Sequence, residues 1–157
     1  MQHRMRTHQL TDMEAERLLS DCMTGTLATI NTDGTPYNVP VHYVFSHNVV
    51  YIHGLPAGQK IENLKRNPHI CFNVYEMRGL LIDGEEKPCD TNTAYASVVI
   101  QGTAQLVEDM DEKKTALLAI IQKYTPHLRE KEIPVNMLKG TVVIKLFVCE
   151  MTGKYYA

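Results

Sequence analysis

The sequence predicts a mainly β protein, a small antiparallel barrel with helices at its periphery. Three observations carry that reading. Short β-branched and aromatic runs recur, separated by turns of Gly, Asn, Asp and Pro. Helical periodicity is confined to a few short stretches. The run over residues 141–150 is apolar at both alternating sets of positions (Val142, Ile144, Leu146, Val148 against Val143, Phe147, Cys149), which fits a strand covered on both faces, inside a barrel or under a partner subunit. The 157 residues suggest one domain, spanning 1–157, long enough to bury about two-thirds of its unfolded surface.

In chain order, Thr11-Asp12-Met13-Glu14 reads as a capping box that opens a helix. Met13, Leu18, Leu19 and Cys22 recur at helical spacing behind it, and Gly25 marks its end. Residues 26–31 read as a strand. Asn31-Thr32-Asp33-Gly34 is a hairpin connection in which Gly34 takes a positive φ. Residues 37–45 read as the second strand. Pro40 cannot donate to a ladder, so it belongs at an edge, a bulge or a place where a ligand replaces a neighbour. Ser46-His47-Asn48 turns the chain into the third strand, 49–54.

The next stretch, residues 54–68, breaks at Gly54, Pro56 and Gly58. It then forms a short amphipathic helix with Ile61 and Leu64 on one side, stopped by Pro68. A strand, a glycine-rich loop and a helix start bearing Lys60 can hold a phosphate, because the first helical N–H groups lack partners and carry partial positive charge. The same pattern also describes an ordinary strand–turn–helix corner with a surface lysine. It is neither a Walker loop nor a G-x-G-x-x-G fingerprint.

Residues 69–75 read as a fourth strand. The polar segment 76–93, interrupted by Leu80-Leu81-Ile82, reads either as an extended hairpin or as a lid. Residues 97–107 form a long strand with Gly102 at a bend or bulge. Asp109-Met110-Asp111-Glu112 opens a helix whose apolar face is Leu117, Leu118, Ile121 and Tyr124; Thr125-Pro126 ends it. Residues 127–139 read as a loop or short helix before the last strand.

The formal net charge of -2 gives no electrostatic case for nucleic acid or an anionic membrane. No apolar run approaches the ~20 residues of a membrane span. The basic stretch Met1 to Arg6 lacks an apolar region behind it and does not read as a signal peptide. Cys22, Cys71, Cys89 and Cys149 form no C-x-x-C pair and read as mostly buried, reduced thiols of a cytoplasmic protein. The seven histidines show no metal-ligand spacing, so no metal site is expected. Asp83 to Glu86 reads as an exposed turn, and Lys65 and Arg66 as a solvated helix face.

The order and spacing of several pieces resemble a known family. They are Gly25-Thr26-Leu27-Ala28-Thr29, Asp33-Gly34-Thr35-Pro36-Tyr37, Val39-Pro40-Val41-His42-Tyr43, Tyr51-Ile52-His53-Gly54, residues 60–68, Tyr95-Ala96-Ser97-Val98 with Gly102, and Met151-Thr152-Gly153-Lys154. Across nearly the whole chain this resembles the pyridoxamine 5'-phosphate oxidase-like, FMN-binding split barrel, a Greek-key barrel. Within that superfamily it is most similar to the nitroimidazole-resistance (Nim) type of flavoprotein. The resemblance implies a homodimer with FMN between subunits, and FAD as an alternative cofactor. It implies that Val39 and Val41 line the isoalloxazine, and that His53 and Gly54 follow the flavin toward its phosphate end. Gly58, Gln59 and Lys60 hold the phosphate, and Tyr95 and Ser97 lie on the adjacent strand beside the ring. It makes His53 the catalytic candidate, as proton donor or substrate positioner in reduction of a nitro group.

Two departures bear on these expectations. Many relatives carry serine or arginine just before the lysine, where Gly58-Gln59 stands here, so backbone N–H groups and the Gln59 amide must substitute. The chain has no Trp and lacks the oxidase's basic, tryptophan-containing tail, which argues against pyridoxamine phosphate as substrate. Two other readings stay open: a non-catalytic module that stores or senses flavin, and a haem-binding split barrel with His42 as a candidate ligand. Read from local pattern, His42 is a strand side chain that packs nearby.

Overall fold

A computed structural model of the chain describes residues 6–85 and 87–157. The reading of Met1 to Met5 as no signal peptide therefore lies outside the described residues, as does Glu86 of the exposed turn. Helix α1 (Asp12–Asp21) begins at the expected capping box, with both reciprocal Thr11–Glu14 bonds present. Strands β1 (Gly25–Ile30) and β2 (Pro36–Val41) form the first hairpin, β3 (Tyr43–Ser46) and β4 (Val49–Gly54) the second. Helix α2 (Gln59–Arg66) leads to β5 (His69–Leu81) and β6 (Asn92–Leu106), then α3 (Met110–Tyr124), a 3-10 turn (Pro126–Leu128), α4 (Val135–Gly140) and β7 (Val142–Tyr156).

All pairings are antiparallel, in a seven-stranded sheet ordered β2-β1-β5-β6-β7-β4-β3. The two edge strands β2 and β3 both reach one core: Val41 and Tyr43 pack with Leu27, Ile52, Phe72, Ile100 and Leu146. The sheet is thus curled around its apolar face into the expected barrel, and burying that face is the main stabilising term. Helices α1 and α2 contribute Leu18, Leu19, Ile61 and Leu64 to the same core. A second, smaller cluster lies under α3, where Ala116, Leu117 and Ile120 meet Val143.

The turn readings hold. Gly34 has φ 82°, and His47 and Asn48 have φ 49° and 62°, the paired positive values of a two-residue hairpin loop. Pro40 sits on the edge strand β2, where its missing N–H costs least. Gly102 lies at a bulge that leaves Cys149 of β7 without a direct partner, since Gln101 pairs with Glu150 but Gly102 with Val148.

Other readings need correction. The strand expected over 37–45 is broken at His42, between β2 and β3. Segment 76–93 is the extended hairpin, not a lid: β5 and β6 pair out to Leu81 and Asn92, with a bulge at Met77/Gly79. Met13 is 78% exposed, because the α1 face that meets the sheet is Ala15, Leu18 and Leu19. In α3 the buried positions are Lys113, Ala116, Leu117 and Ile120, while Leu118 and Ile121 are half-buried. Cover on both faces of β7 is confined to its start. Val143 and Ile144 are fully buried, whereas Phe147 and Cys149 are exposed. All four cysteines are free, and none is buried: Cys22 and Cys71 are half-buried, Cys89 and Cys149 exposed.

Gly102→Ala should destabilise the barrel, because a Cβ there would stand 1.9 Å from the Phe147 carbonyl oxygen. We expect a loss of about 1–3 kcal/mol in urea unfolding; a loss below ~0.5 kcal/mol would mean the bulge opens freely.

Candidate functional site

The site is built on the corner between β4 and α2. Strand β4 ends at Gly54, and the exposed Leu55-Pro56-Ala57 leads to Gly58. Gly58 has φ 132°, a value a side chain rarely permits. It is the N-cap of α2 and offers no side-chain cap. Its carbonyl accepts the N–H of Ile61 at 3.0 Å and of Glu62 at 3.1 Å. The N–H groups of Gln59 and Lys60 precede any helical acceptor, so they present positive charge outward.

The Lys60 side chain folds back toward β4: its Cε and Nζ would both lie 3.7 Å from a Cβ placed on Gly54. His53 is half-buried beside it, and its Nδ1 is enclosed without a hydrogen-bond partner. An enclosed unpaired nitrogen costs ~1–3 kcal/mol. Burial pulls the His53 pKa below its ordinary value, and the nearby His42 and Lys60 charges add to the effect. The imidazole of the free protein is therefore neutral at neutral pH.

His42 belongs to the same corner. Tyr43 pairs with Ile52, so the same register carries His42 opposite His53. The His42 ring stacks on Tyr124, with centroids 4.6 Å apart and planes at 27°. The single Tyr124 hydroxyl proton lies within reach of the carbonyls of Met23 (2.7 Å) and Tyr43 (3.0 Å), and its oxygen accepts from the Tyr43 N–H (2.9 Å). Val41 directly precedes His42, and Val39 lies on the same face of β2; both are half-buried. The β2 edge is thereby continuous with the corner.

Helix α2 is fixed to β1 by Asn63, which is fully buried. Its Nδ2 donates to Thr29 Oγ1 (3.0 Å) and Asn31 Oδ1 (2.9 Å). Its Oδ1 accepts from Gln59 Nε2 (3.0 Å) and an Arg66 guanidinium nitrogen (2.8 Å). Gln59 Nε2 also donates to Asn31 Oδ1 at 3.2 Å. Both donors of the Gln59 amide are thus engaged within the chain, and its backbone N–H is the donor left for a ligand. Arg66 is likewise engaged, while Lys65 pairs with Glu62 at 2.9 Å on the exposed face. The residues 60–68 read from sequence gave no role to Asn63. A polar residue between Ile61 and Leu64 on the apolar face, one turn from Gln59, was the available signal.

Tyr95 and Ser97 do not join this corner within one chain. Strand β7 lies between β4 and β6. His53 pairs with Val143 at one end of β7, while Tyr95 pairs with Tyr156 and Ser97 with Lys154 at the other. At ~3.3 Å per residue the two ends of this 15-residue strand are tens of ångströms apart. Ser97 is buried, and Tyr95 stacks on Tyr75 with centroids 5.8 Å apart. No cluster of His, Cys, Asp and Glu suited to a metal ion occurs among the described residues, and no helix of the described residues is long and apolar enough to cross a membrane.

Comparison with known proteins follows the same lines. A family model described as pyridoxamine 5'-phosphate oxidase matches residues 11–155. A solved structure of a proposed 5-nitroimidazole antibiotic resistance protein from Bacteroides thetaiotaomicron is 25% identical, with a TM-score of 0.78 over 94% of this chain and 86% of that one. The flavocytochrome Anf3 from Azotobacter vinelandii is 22% identical, with a TM-score of 0.84 over 99% of this chain and 72% of that one. An FAD and haem binding protein from Mycobacterium smegmatis is 18% identical, with a TM-score of 0.84 over 94% and 73%. No curated protein matches the sequence.

Two outcomes are expected. Asn63→Leu should cost about 2–4 kcal/mol in urea unfolding, since it removes the four bonds of a fully buried amide and leaves Thr29 with only the long 3.5 Å bond to the Tyr37 carbonyl; a neutral result would mean that solvent reaches the network. His53 should titrate below its ordinary 6.5 in histidine NMR spectra. Because the folded state binds this proton more weakly than the unfolded chain, stability is full above pH ~6.5 and falls as pH drops through the folded pKa. Lys60→Ala should raise the midpoint only slightly, burial being the larger cause.

Proposed function

The chain belongs to the pyridoxamine 5'-phosphate oxidase family, and from that premise we propose that it is a flavin-dependent reductase that works as a homodimer. The observation that carries the reading is the uncapped start of α2 with Lys60 turned toward Gly54, beside the enclosed, unpartnered Nδ1 of His53. A phosphate monoester brings almost two negative charges at neutral pH. The Gln59 and Lys60 N–H groups and the Lys60 ammonium suit that charge. Gly58 and Gly54 leave room for close approach of the ligand to backbone. The similarity in fold to proteins described as a flavocytochrome and as an FAD and haem binding protein supports a flavin, and the nitroimidazole-resistance relative supports a nitro acceptor.

A bound flavin, once reduced, supplies hydride to an electron-poor acceptor. The protein does the rest. Val39 and Val41 on the β2 edge give the ring an apolar wall. While Lys60 and the α2 start carry the hold on the flavin, His53 uses an imidazole nitrogen to position, or give a proton to, the reduced acceptor. Its low affinity for a proton in the free protein rises when an anionic ligand settles nearby. His42 adds a second ring beside His53, held by Tyr124. The placement of Tyr95 and Ser97 at the far end of β7 favours a site closed by a second copy, whose Tyr95 and Ser97 complete the pocket beside the ring. Exposed Tyr75, Met77, Leu80 and Ile82 on the long hairpin give that second copy an apolar surface.

Purified protein should sediment as a dimer and bind FMN or FAD with quenching of flavin fluorescence. Lys60→Ala should weaken flavin binding about ten- to hundred-fold. His53→Ala should keep flavin while lowering nitroimidazole reduction with NADH or NADPH about hundred-fold. Unchanged turnover would remove His53 from the mechanism; flavin bound with no turnover of any acceptor would favour the storage or sensing module. A haem band in place of flavin absorbance would overturn the reading.

A further inference from the structure

Next to the corner lies a cleft of about 410 Å³ lined by Asn31, Thr32, Asp33, Tyr37 and Gln59. It runs between the β1–β2 turn and the first residue of α2 as a shallow trough open to solvent, with Thr32, Asp33 and Gln59 exposed and Asn31 and Tyr37 half-buried. It shares Gln59 with the corner, and the Gln59–Asn31 bond joins the two. A ligand whose phosphate sits on the Gln59 and Lys60 N–H groups would therefore pass directly into it.

The chemistry of the lining is that of a nucleoside pocket. Tyr37 is half-buried and presents an aromatic ring on which a base can stack. Asp33 uses Oδ1 to accept from the Thr35 N–H (3.0 Å) and the Thr35 hydroxyl (2.6 Å). Those bonds hold its carboxyl below the usual range, hence ionised, and its second oxygen takes no part in them. A carboxylate at this place can accept from a ribose diol, as acidic residues do in dinucleotide sites. The Thr32 hydroxyl adds a polar group for the base or sugar, while the Asn31 amide is committed to Asn63, Gln59 and Thr35 and serves to hold the wall in place. The turn that carries Asn31, Thr32 and Asp33 is itself rigid. Gly34 N–H donates to the Asn31 carbonyl at 3.0 Å, and Asn31 N–H to the Thr35 carbonyl at 2.8 Å.

We propose that this cleft is an adenylate subsite, so that the preferred cofactor of the chain is the dinucleotide FAD. The inference rests on the flavin reading above, and FMN serves as its control, because FMN occupies the corner but leaves the cleft empty. The diphosphate of FAD bridges the two, with the α2 start and Lys60 offsetting its charge.

The test is equilibrium titration of flavin fluorescence with FMN and FAD separately. The wild-type chain should bind FAD at least about ten-fold more tightly than FMN, the gain a stacked base brings. Tyr37→Ala and Asp33→Ala should each remove most of that preference by weakening FAD alone. Tyr37→Phe should retain it. Unchanged FMN affinity in the variants reports an intact fold. Millimolar AMP should weaken FAD binding and leave FMN binding unchanged. Equal affinity for the two flavins in the wild-type chain overturns the proposal while the flavin reading stands. So does equal weakening of both by the two variants, or competition by AMP without an FAD preference, which would assign the cleft to a free adenine nucleotide. Binding of neither flavin overturns both.

Discussion

The geometry of the corner depends on one buried amide. Asn63 has two donors and two acceptor positions, and all four are used: Thr29 and Asn31 on one side, Gln59 and Arg66 on the other. A buried amide with a missing partner would be a liability of ~1–3 kcal/mol. A fully partnered one fixes orientation as well as position, because its bonds are directional. Ile61 and Leu64 would hold α2 against the sheet in several rotations and slides, apolar contact being non-directional. The Asn63 bonds select the one that points the helix start toward Gly54. The cost falls on Gln59, whose amide is spent on the scaffold. That is why anion binding at this helix start reduces to backbone N–H groups and Lys60.

Strand β7 is the second determinant. It pairs with β4 along its first half and with β6 along most of its length. The bulge at Gly102 lies where the pairing with β4 ends, since Phe147 is the last residue of β7 opposite β4. Beyond that point β5, β6 and β7 continue as a ribbon, joined at its edge by residues 8–10, where Gln9 bridges Lys154 and Leu10 N–H donates to the Gly153 carbonyl. Gly153 permits that approach, since a Cβ there would come within 2.9 Å of Leu10. The chain therefore has a closed half, covered by helices, and an extended half that keeps Val74, Ala96, Val98 and Ile100 buried but leaves Tyr75, Met77, Leu80 and Ile82 exposed.

How much of this could be read from the amino acids differs by the range of the signal. Turns were legible because they are set by residues within four positions: Gly34, the His47-Asn48 pair and the Thr11–Glu14 box all stand as expected. Pro40 and Gly102 were legible because each breaks a rule of the ladder and so marks an edge or a bulge. The extension of β5 past Tyr75 was legible only as one of two readings, hairpin or lid, since Glu76, Arg78 and Gly79 break the apolar pattern of Met77, Leu80 and Leu81 and pairing with β6 decides the matter. The inward faces of α1 and α3 were misjudged at Met13, Leu118 and Ile121, where periodicity leaves the rotation of a helix uncertain by one position. At the site, His53, Gly54, Gly58 and Lys60 lie at one corner, because a strand end, a loop and a helix start are contiguous. His42 enters only through pairing across elements, which no linear spacing displays, whereas Asn63 was marked solely by its polar place between Ile61 and Leu64.

The placement of Tyr95 and Ser97 brings out the same limit from the other direction. A resemblance assigns both residues to one ligand, yet in a single chain they sit at the opposite end of β7 from His53. Moving them together within the barrel is not an option. The β6–β7 register runs from Tyr95–Tyr156 to Leu106–Ile144, and slipping it by one residue would exchange the core and solvent faces of both strands. The sheet is thus too tightly specified to bend its two ends onto one ligand. The homodimer proposed above would meet the same requirement without deformation, since an isologous interface can bring one end of a ribbon to the other end of its mate. On this geometry a ligand that needs both halves binds only to an assembly, and its affinity is linked to the stability of the assembly.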